Sequence, residues 1–297
     1  MKKIFLIIAI SIFGLSNVLK GQNATLEISK GCKESEFLTS DSVRLHYLIS
    51  GKGDPLIFIP GWTMPAEIWE NQIKYFSKTN LVISLNLRSQ RTSSQTAEGL
   101  YFEREAKDIK ELVDHLHLST YSLIGWSMGG PVLFNYLKFH SSPLIKKVII
   151  VESLLKMTEP ILKDLISLNK GLLQNRLETI SQFIRGMYKQ PRSEAYLKKL
   201  IQSSMITPTN SAVLLLSNYL FNDDAEWVKT IKNSKIPILF IGASDSETLY
   251  KETNLEVKIN YEIIPESGHA VFVDKPLEFN KILENFISKS EINYAQH

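Results

Sequence analysis

Six short, largely apolar runs limit what this chain can fold into: residues 56–59, 81–85, 121–124, 148–151, 238–241 and 261–264. Several are too continuously apolar to keep one face in water, so they read as strands of a mostly parallel sheet covered by helices on both sides. The stretches between them supply the covers, with helices predicted over 67–76, 102–117, 132–139 and 277–287. In the second of these, Phe102, Ala106, Ile109, Val113 and Leu116 recur at helical spacing and form one apolar stripe. This interleaving predicts an α/β fold, a twisted, mostly parallel sheet flanked by helices. The opening differs: residues 35–39 and 43–50, joined by Ser40-Asp41-Ser42, read as an antiparallel hairpin that Gly51-Lys52-Gly53-Asp54-Pro55 brings to a stop.

The alternation fails over residues 153–234, where long helical patterns are punctuated by Pro160, Gly171, Gly186, Pro191 and Pro208. With 297 residues, 44% of them hydrophobic, the chain has material for one large core and an insert. The expected organisation is a core of 35–152 and 235–290, a helical cap of 153–234 and a linker of 22–34. Placed between two strands, the cap would lie over the edge where strands end, which is where open α/β sheets bind ligands.

Residues 1–21 read as a cleaved export signal: Lys2 and Lys3 precede an apolar run at 4–15, too short for the roughly 20 residues of a spanning helix. The chain is therefore expected to be exported, periplasmic or secreted, with no stable membrane span after cleavage. The single cysteine, Cys32, lacks the setting of a lipoprotein signal and offers no intramolecular disulfide. The formal charge of +3 also changes on cleavage, because 1–21 holds three of the 34 Lys and Arg and none of the 31 Asp and Glu. A neutral mature chain gives no footprint for nucleic acid or an anionic membrane, and the expected partner is a small-molecule substrate.

The chemistry concentrates at Gly125-Trp126-Ser127-Met128-Gly129, directly after an apolar strand and directly before a helix. A serine on so tight a turn stands exposed above the sheet, and the flanking Gly125 and Gly129 are small because the turn brings backbones together. The N-terminus of the following helix presents free N–H groups to a developing negative charge, with the Met128 N–H as one oxyanion donor. Pro60-Gly61-Trp62, after another strand, offers the Trp62 N–H as the second.

Serine needs a base. Of six histidines, His46 lies in the hairpin, His115 and His117 close a helix, His140 follows one and His297 is the last residue. Only His269 falls between the last strand and the last helix, in the turn begun by Pro265-Glu266-Ser267-Gly268. The imidazole in turn needs a carboxylate to fix its tautomer. Asp245 is the candidate, one strand earlier, and Glu152, ending the run at 148–151, is its rival. The bland alternative for Asp245 is a helix cap. His115 and His117 point different ways on their helix, and no metal site is expected.

The order Ser127, Asp245, His269 resembles the α/β-hydrolase fold family over about residues 35–290. The likeness is carried by Ile59-Pro60-Gly61-Trp62, the elbow 125–130, the segment 237–245 and Ser267-Gly268-His269. Within that family it looks most like small esterases and the cofactor-free haloperoxidase-like or lactonase-like enzymes with a helical cap. The resemblance implies a cofactor-independent serine hydrolase acting on an ester or lactone through an acyl-enzyme. Alternatives are a C–C bond hydrolase or perhydrolase using the same triad, or a catalytically silent ligand-binding protein. Two departures stand out. The usual His-Gly of the oxyanion turn is Pro60-Gly61, and the usual Asp-x-Arg-Gly-x-Gly-x-Ser reads Asn86-Leu87-Arg88-Ser89-Gln90-Arg91-Thr92-Ser93.

Overall fold

A computed structural model describes residues 31–289. The export-signal reading of 1–21 and most of the 22–34 linker lie outside the described residues. The strands are β1 Lys33–Leu38, β2 Arg44–Ser50, β3 Pro55–Ile59, β4 Leu81–Leu85, β5 Tyr121–Trp126, β6 Ile145–Val151, β7 Ile238–Ala243 and β8 Asn260–Ile264. They form one sheet in the order β1-β2-β4-β3-β5-β6-β7-β8. β2 pairs antiparallel with β1 and β4, and every other neighbouring pair is parallel.

The interior strands β5 and β7 are buried along their whole length, as largely apolar runs covered on both faces require. The last run is different. β8 lies at the sheet edge and only Ile264 is fully buried, so its apolar residues meet one face of the core rather than two.

The helices are α1 Glu70–Phe76, α2 Phe102–His115, α3 Gly129–His140, α4 Glu159–Gln174, α5 Arg176–Gly186, α6 Glu194–Ser204, α7 Thr209–Phe221, α8 Asp224–Asn233, α9 Glu247–Val257, α10 Val271–Asp274 and α11 Pro276–Ser288. The helix predicted over 67–76 is divided: Ala66–Trp69 winds as a tight 3₁₀ turn before α1 begins. α4 to α8 all fall between β6 and β7, and they dock on the core through specific contacts. Asn218 Nδ2 of α7 donates to Leu100 O at 2.7 Å, the Tyr219 ring meets Phe102 edge-on at 5.1 Å, and Trp227 of α8 lies 5.3 Å from Phe134 of α3.

Beneath that docking surface, Arg88 is fully buried and held by Asp108 at 2.7 and 2.6 Å and by Asp41 at 3.0 Å. Two carboxylates make burial of the guanidinium tolerable. Burial opposes ionisation of Asp41, but hydrogen bonds from Arg88 and Thr39 outweigh it and bring its carboxyl down to about 2.

Glu105, one turn from Asp108 on α2, is fully buried and neither of its carboxylate oxygens finds a hydrogen bond among the described residues. Burial first, then the nearby Asp108, pushes it from 4.5 up to about 8, against the pull of Arg88. Below pH 4.5 both the folded and unfolded chains hold this proton; from there to about 8 only the folded chain does, so this group's share of stability falls as pH rises through that window. Replacing Glu105 with glutamine removes the titration. Melting temperatures measured across the window should therefore fall less steeply for Glu105→Gln than for the wild type.

Candidate active site

β5 ends at Trp126 and α3 begins at Gly129, so the chain reverses over two residues. The turn forces Ser127 into a left-handed backbone with φ of 52°, a conformation that costs a non-glycine residue about 1–2 kcal/mol. Hydrogen bonds on both sides hold it there: Ser127 N–H donates to Val151 O of β6 at 2.9 Å, and Gly130 N–H to Ser127 O at 2.9 Å. The glycines are steric requirements. A Cβ on Gly125 would lie 2.5 Å from Gly129 O, and one on Gly129 would lie 2.8 Å from Ile59 O.

The turn after β3 comes up against this elbow. A Cβ on Gly61 would stand 3.1 Å from Ser127 Cβ and 3.1 Å from the Trp126 ring, which places Pro60-Gly61-Trp62 beside the serine. Neither the Trp62 N–H nor the Met128 N–H donates to a protein acceptor among the described residues, although both residues are buried. Two buried amides left open beside a serine suit a developing oxyanion. The Trp62 side chain is turned to the cap, its indole N–H donating to Ala212 O of α7 at 2.8 Å and its ring meeting Phe183 of α5 edge-on at 5.2 Å. Thr63 Oγ1 adds a 2.7 Å bond with Ser204 Oγ of α6.

His269 sits in the loop between β8 and α10, its ring 5.4 Å from that of Trp126. Trp126 Nε1–H donates to His269 O at 2.8 Å, which ties the loop to the residue preceding Ser127. Three residues on, the Phe272 ring stacks at 3.8 Å on Trp69 and meets Trp126 edge-on, while Gln72 Nε2 donates to Phe272 O. No hydrogen bond joins Ser127 Oγ to the imidazole among the described residues; such contacts tighten when substrate binds.

The carboxylate on this histidine is Glu152. His269 Nδ1 lies 3.2 Å from Glu152 Oε2, and a carboxylate only accepts, so Nδ1 carries the proton and Nε2 presents its lone pair. Glu152 follows β6 in a left-handed conformation with φ of 44°. Its other oxygen accepts from Ala243 N–H at 2.6 Å and Ser246 Oγ at 2.7 Å. Asp245, the carboxylate expected from the sequence, lies exposed in the 3₁₀ turn Ser244–Ser246 and does not meet the imidazole. The segment after β7 thus arrives beside the site, but it contributes hydrogen-bond donors that fix Glu152 rather than an acid of its own.

The atypical turn 86–93 keeps its shape by other means. Ser89 and Arg91 hold φ of 59° and 50°, left-handed values at the two positions where glycine was missed in the sequence. Ser89 is compensated by Oγ accepting from Thr96 N–H and donating to Thr96 O, both at 2.8 Å, and Arg91 by Glu67 at 3.5 Å. Asn86 Oδ1 accepts from Ala66 N–H at 2.6 Å, directly below the Trp62 turn, and Asn86 Nδ2 donates to His46 Nδ1 at 3.0 Å. An acceptor toward Ala66 and a donor toward a ring nitrogen together call for an amide, which accounts for asparagine here.

The sequence profile of the α/β-hydrolase fold matches residues 54–276. The chain belongs to the α/β-hydrolase fold family. This α/β hydrolase is 30% identical over 253 residues to (E)-2-((N-methylformamido)methylene)succinate hydrolase of Acinetobacter baylyi, covering 84% of this chain and 95% of that protein. It is 24% identical over 267 residues to the AB hydrolase superfamily protein YisY of Bacillus subtilis, covering 84% and 97%. Among solved structures it resembles an esterase from Exiguobacterium antarcticum, with a TM-score of 0.79 at 17% identity over 86% of this chain and 99% of that one. A bromoperoxidase from Bacillus anthracis gives 0.77 at 21% identity over 86% and 100%. At these identities the structural likeness speaks for the fold.

If Glu152 orients the imidazole, Glu152→Gln should lower kcat on an activated ester by a factor on the order of 10⁴, as loss of a triad carboxylate does, while exposed Asp245→Asn stays within about two-fold. Steady-state kinetics of the two purified variants separates the candidates.

Proposed function

We propose that this α/β hydrolase cleaves a small-molecule ester or lactone through an acyl-enzyme on Ser127. The reading is supported by a serine raised beside Gly61, an imidazole on Glu152 whose ring lies 5.4 Å from that of neighbouring Trp126, and two main-chain amides with no protein acceptor among the described residues. Ser127 Oγ attacks the carbonyl carbon as its proton passes to His269 Nε2, and the carbonyl oxygen, now an anion, is held by the Trp62 and Met128 N–H groups. His269 returns the proton to the departing alkoxide as the C–O bond breaks, leaving the acyl group on Ser127. Water then attacks the acyl carbon, giving its proton to His269; the carboxylic acid leaves and the proton goes back to Ser127. Glu152 keeps the imidazole in the productive tautomer and supports the imidazolium in both halves.

The cap favours an apolar substrate. Beside the Trp62 turn it presents Phe183, and half-buried Leu154, Leu165, Leu168 and Val213 pack against the same core. An acyl chain laid on such residues gains about 0.8 kcal/mol per methylene, roughly four-fold in kcat/KM. Three outcomes are expected. A fluorophosphonate probe adds to Ser127 by mass spectrometry, Ser127→Ala takes none, and kcat/KM climbs with acyl length over a short series of chromogenic esters. A wild-type protein that takes no adduct at Ser127 overturns the reading; labelling with a flat ester series overturns the apolar pocket alone.

A further inference from the structure

The loop carrying His269 is gripped from the cap as well as from the sheet. Residues 187–193 join α5 to α6 and run across that loop as a strap. Ala270 N–H, next to the histidine, donates to Met187 O at 3.0 Å. On the other side, a Cβ on Gly268 would lie 2.6 Å from Met187 O and 2.9 Å from Lys189 N, so the strap rests directly on the residue before the base.

One carboxylate joins the two segments. Asp274 ends α10 with its side chain fully shut from solvent. Its Oδ2 accepts from Gly268 N–H at 2.7 Å and from Lys189 N–H at 2.8 Å. Its Oδ1 accepts from Arg192 Nη2 at 2.5 Å and, at 3.4 Å, from Gln190 N–H. Arg192 is itself fixed, donating also to Val273 O at 2.8 Å and lying 5.3 Å over the Tyr188 ring. Three of the four donors come from the strap and the fourth from the residue preceding His269. All are hydrogen bonds to a buried carboxylate, the stronger kind.

We propose that Asp274 is a positioning residue for the base: through Gly268 it sets the His269 loop, and through Arg192 and the strap it makes that setting depend on the cap being seated. The proposal rests on the hydrolase reading of Ser127 and His269. It adds that the cap, besides lining the pocket, aligns the catalytic imidazole. A misplacement of about 1 Å in a catalytic group lowers rate on the order of 100-fold, so releasing this clamp should act on kcat more than on KM.

The test uses the full chain carrying Asp274→Asn, Arg192→Met or Arg192→Lys, compared with the wild type at a temperature where melting curves show every sample folded. Asp274→Asn is expected to lose about 100-fold in kcat with KM nearly unchanged and to shift the acid limb of its kcat/KM–pH profile. Arg192→Met should show the same pattern in weaker form, and Arg192→Lys should recover most of it by restoring a charged donor to Asp274. Should Asp274→Asn not fold, the Arg192 pair decides. Folded variants with wild-type kcat and an unmoved pH profile overturn the clamp, as does a loss that only tracks the unfolded fraction. Phosphonate labelling of the wild type separates the two levels: no adduct on Ser127 removes the hydrolase reading and the clamp with it, whereas normal labelling with unaffected variants removes the clamp alone.

Discussion

The left-handed backbone at Ser127 is the constraint from which the rest of the site follows. A residue with a side chain adopts φ of 52° only when its surroundings insist, and here the insistence comes from β6 through Val151 and from the first turn of α3 through Gly130. Lifting the serine out of the strand leaves the Met128 amide without a partner among the described residues, at the start of a helix, where a negative charge is welcome. It also requires backbones to pass at distances that exclude side chains, hence Gly125, Gly129 and Gly61. The raised serine, the open Met128 amide and the glycines are thus consequences of one bend.

The histidine reaches this bend through aromatic packing and a carboxylate of unexpected origin. Phe272, stacked on Trp69 and edge-on to Trp126, anchors the loop into the core three residues beyond His269. Glu152 reaches the ring from the end of β6, with the longer glutamate side chain and a left-handed backbone bringing it to Nδ1. Ala243 N–H and Ser246 Oγ hold its second oxygen, so a loop that could have carried the acid instead orients it. Preorganisation of this kind keeps one tautomer in place before substrate arrives.

Much of this was legible in the residues because burial on both faces leaves a plain mark: runs such as 121–124 and 238–241 have no alternation, and they form interior strands β5 and β7. The run of β8 carries Glu262 at an exposed position and lies at the edge, where one face meets solvent. The serine was legible because its motif came with a strand before and a helix after. Asp245 was not separable from Glu152 on sequence, because both follow neighbouring parallel strands and only the backbone angle after each decides which side chain turns to the imidazole. The turn at 86–93 hid its shape for a related reason: Ser89 and Arg91 occupy left-handed positions without being glycine, supported by partners distant in sequence or buried in the turn. The strap over Gly268 left no local signal, since Asp274 and Arg192 are 82 residues apart.

The central claim is that one serine faces two open amides and an imidazole held by Glu152. A crystal structure of the phosphonylated protein tests it most directly. The account requires the phosphoryl oxygen within hydrogen-bond distance of both the Trp62 and Met128 nitrogens, with His269 Nδ1 on Glu152 and Nε2 toward the adduct. A phosphoryl oxygen pointing to solvent, or an imidazole bonded to Asp245, would contradict it.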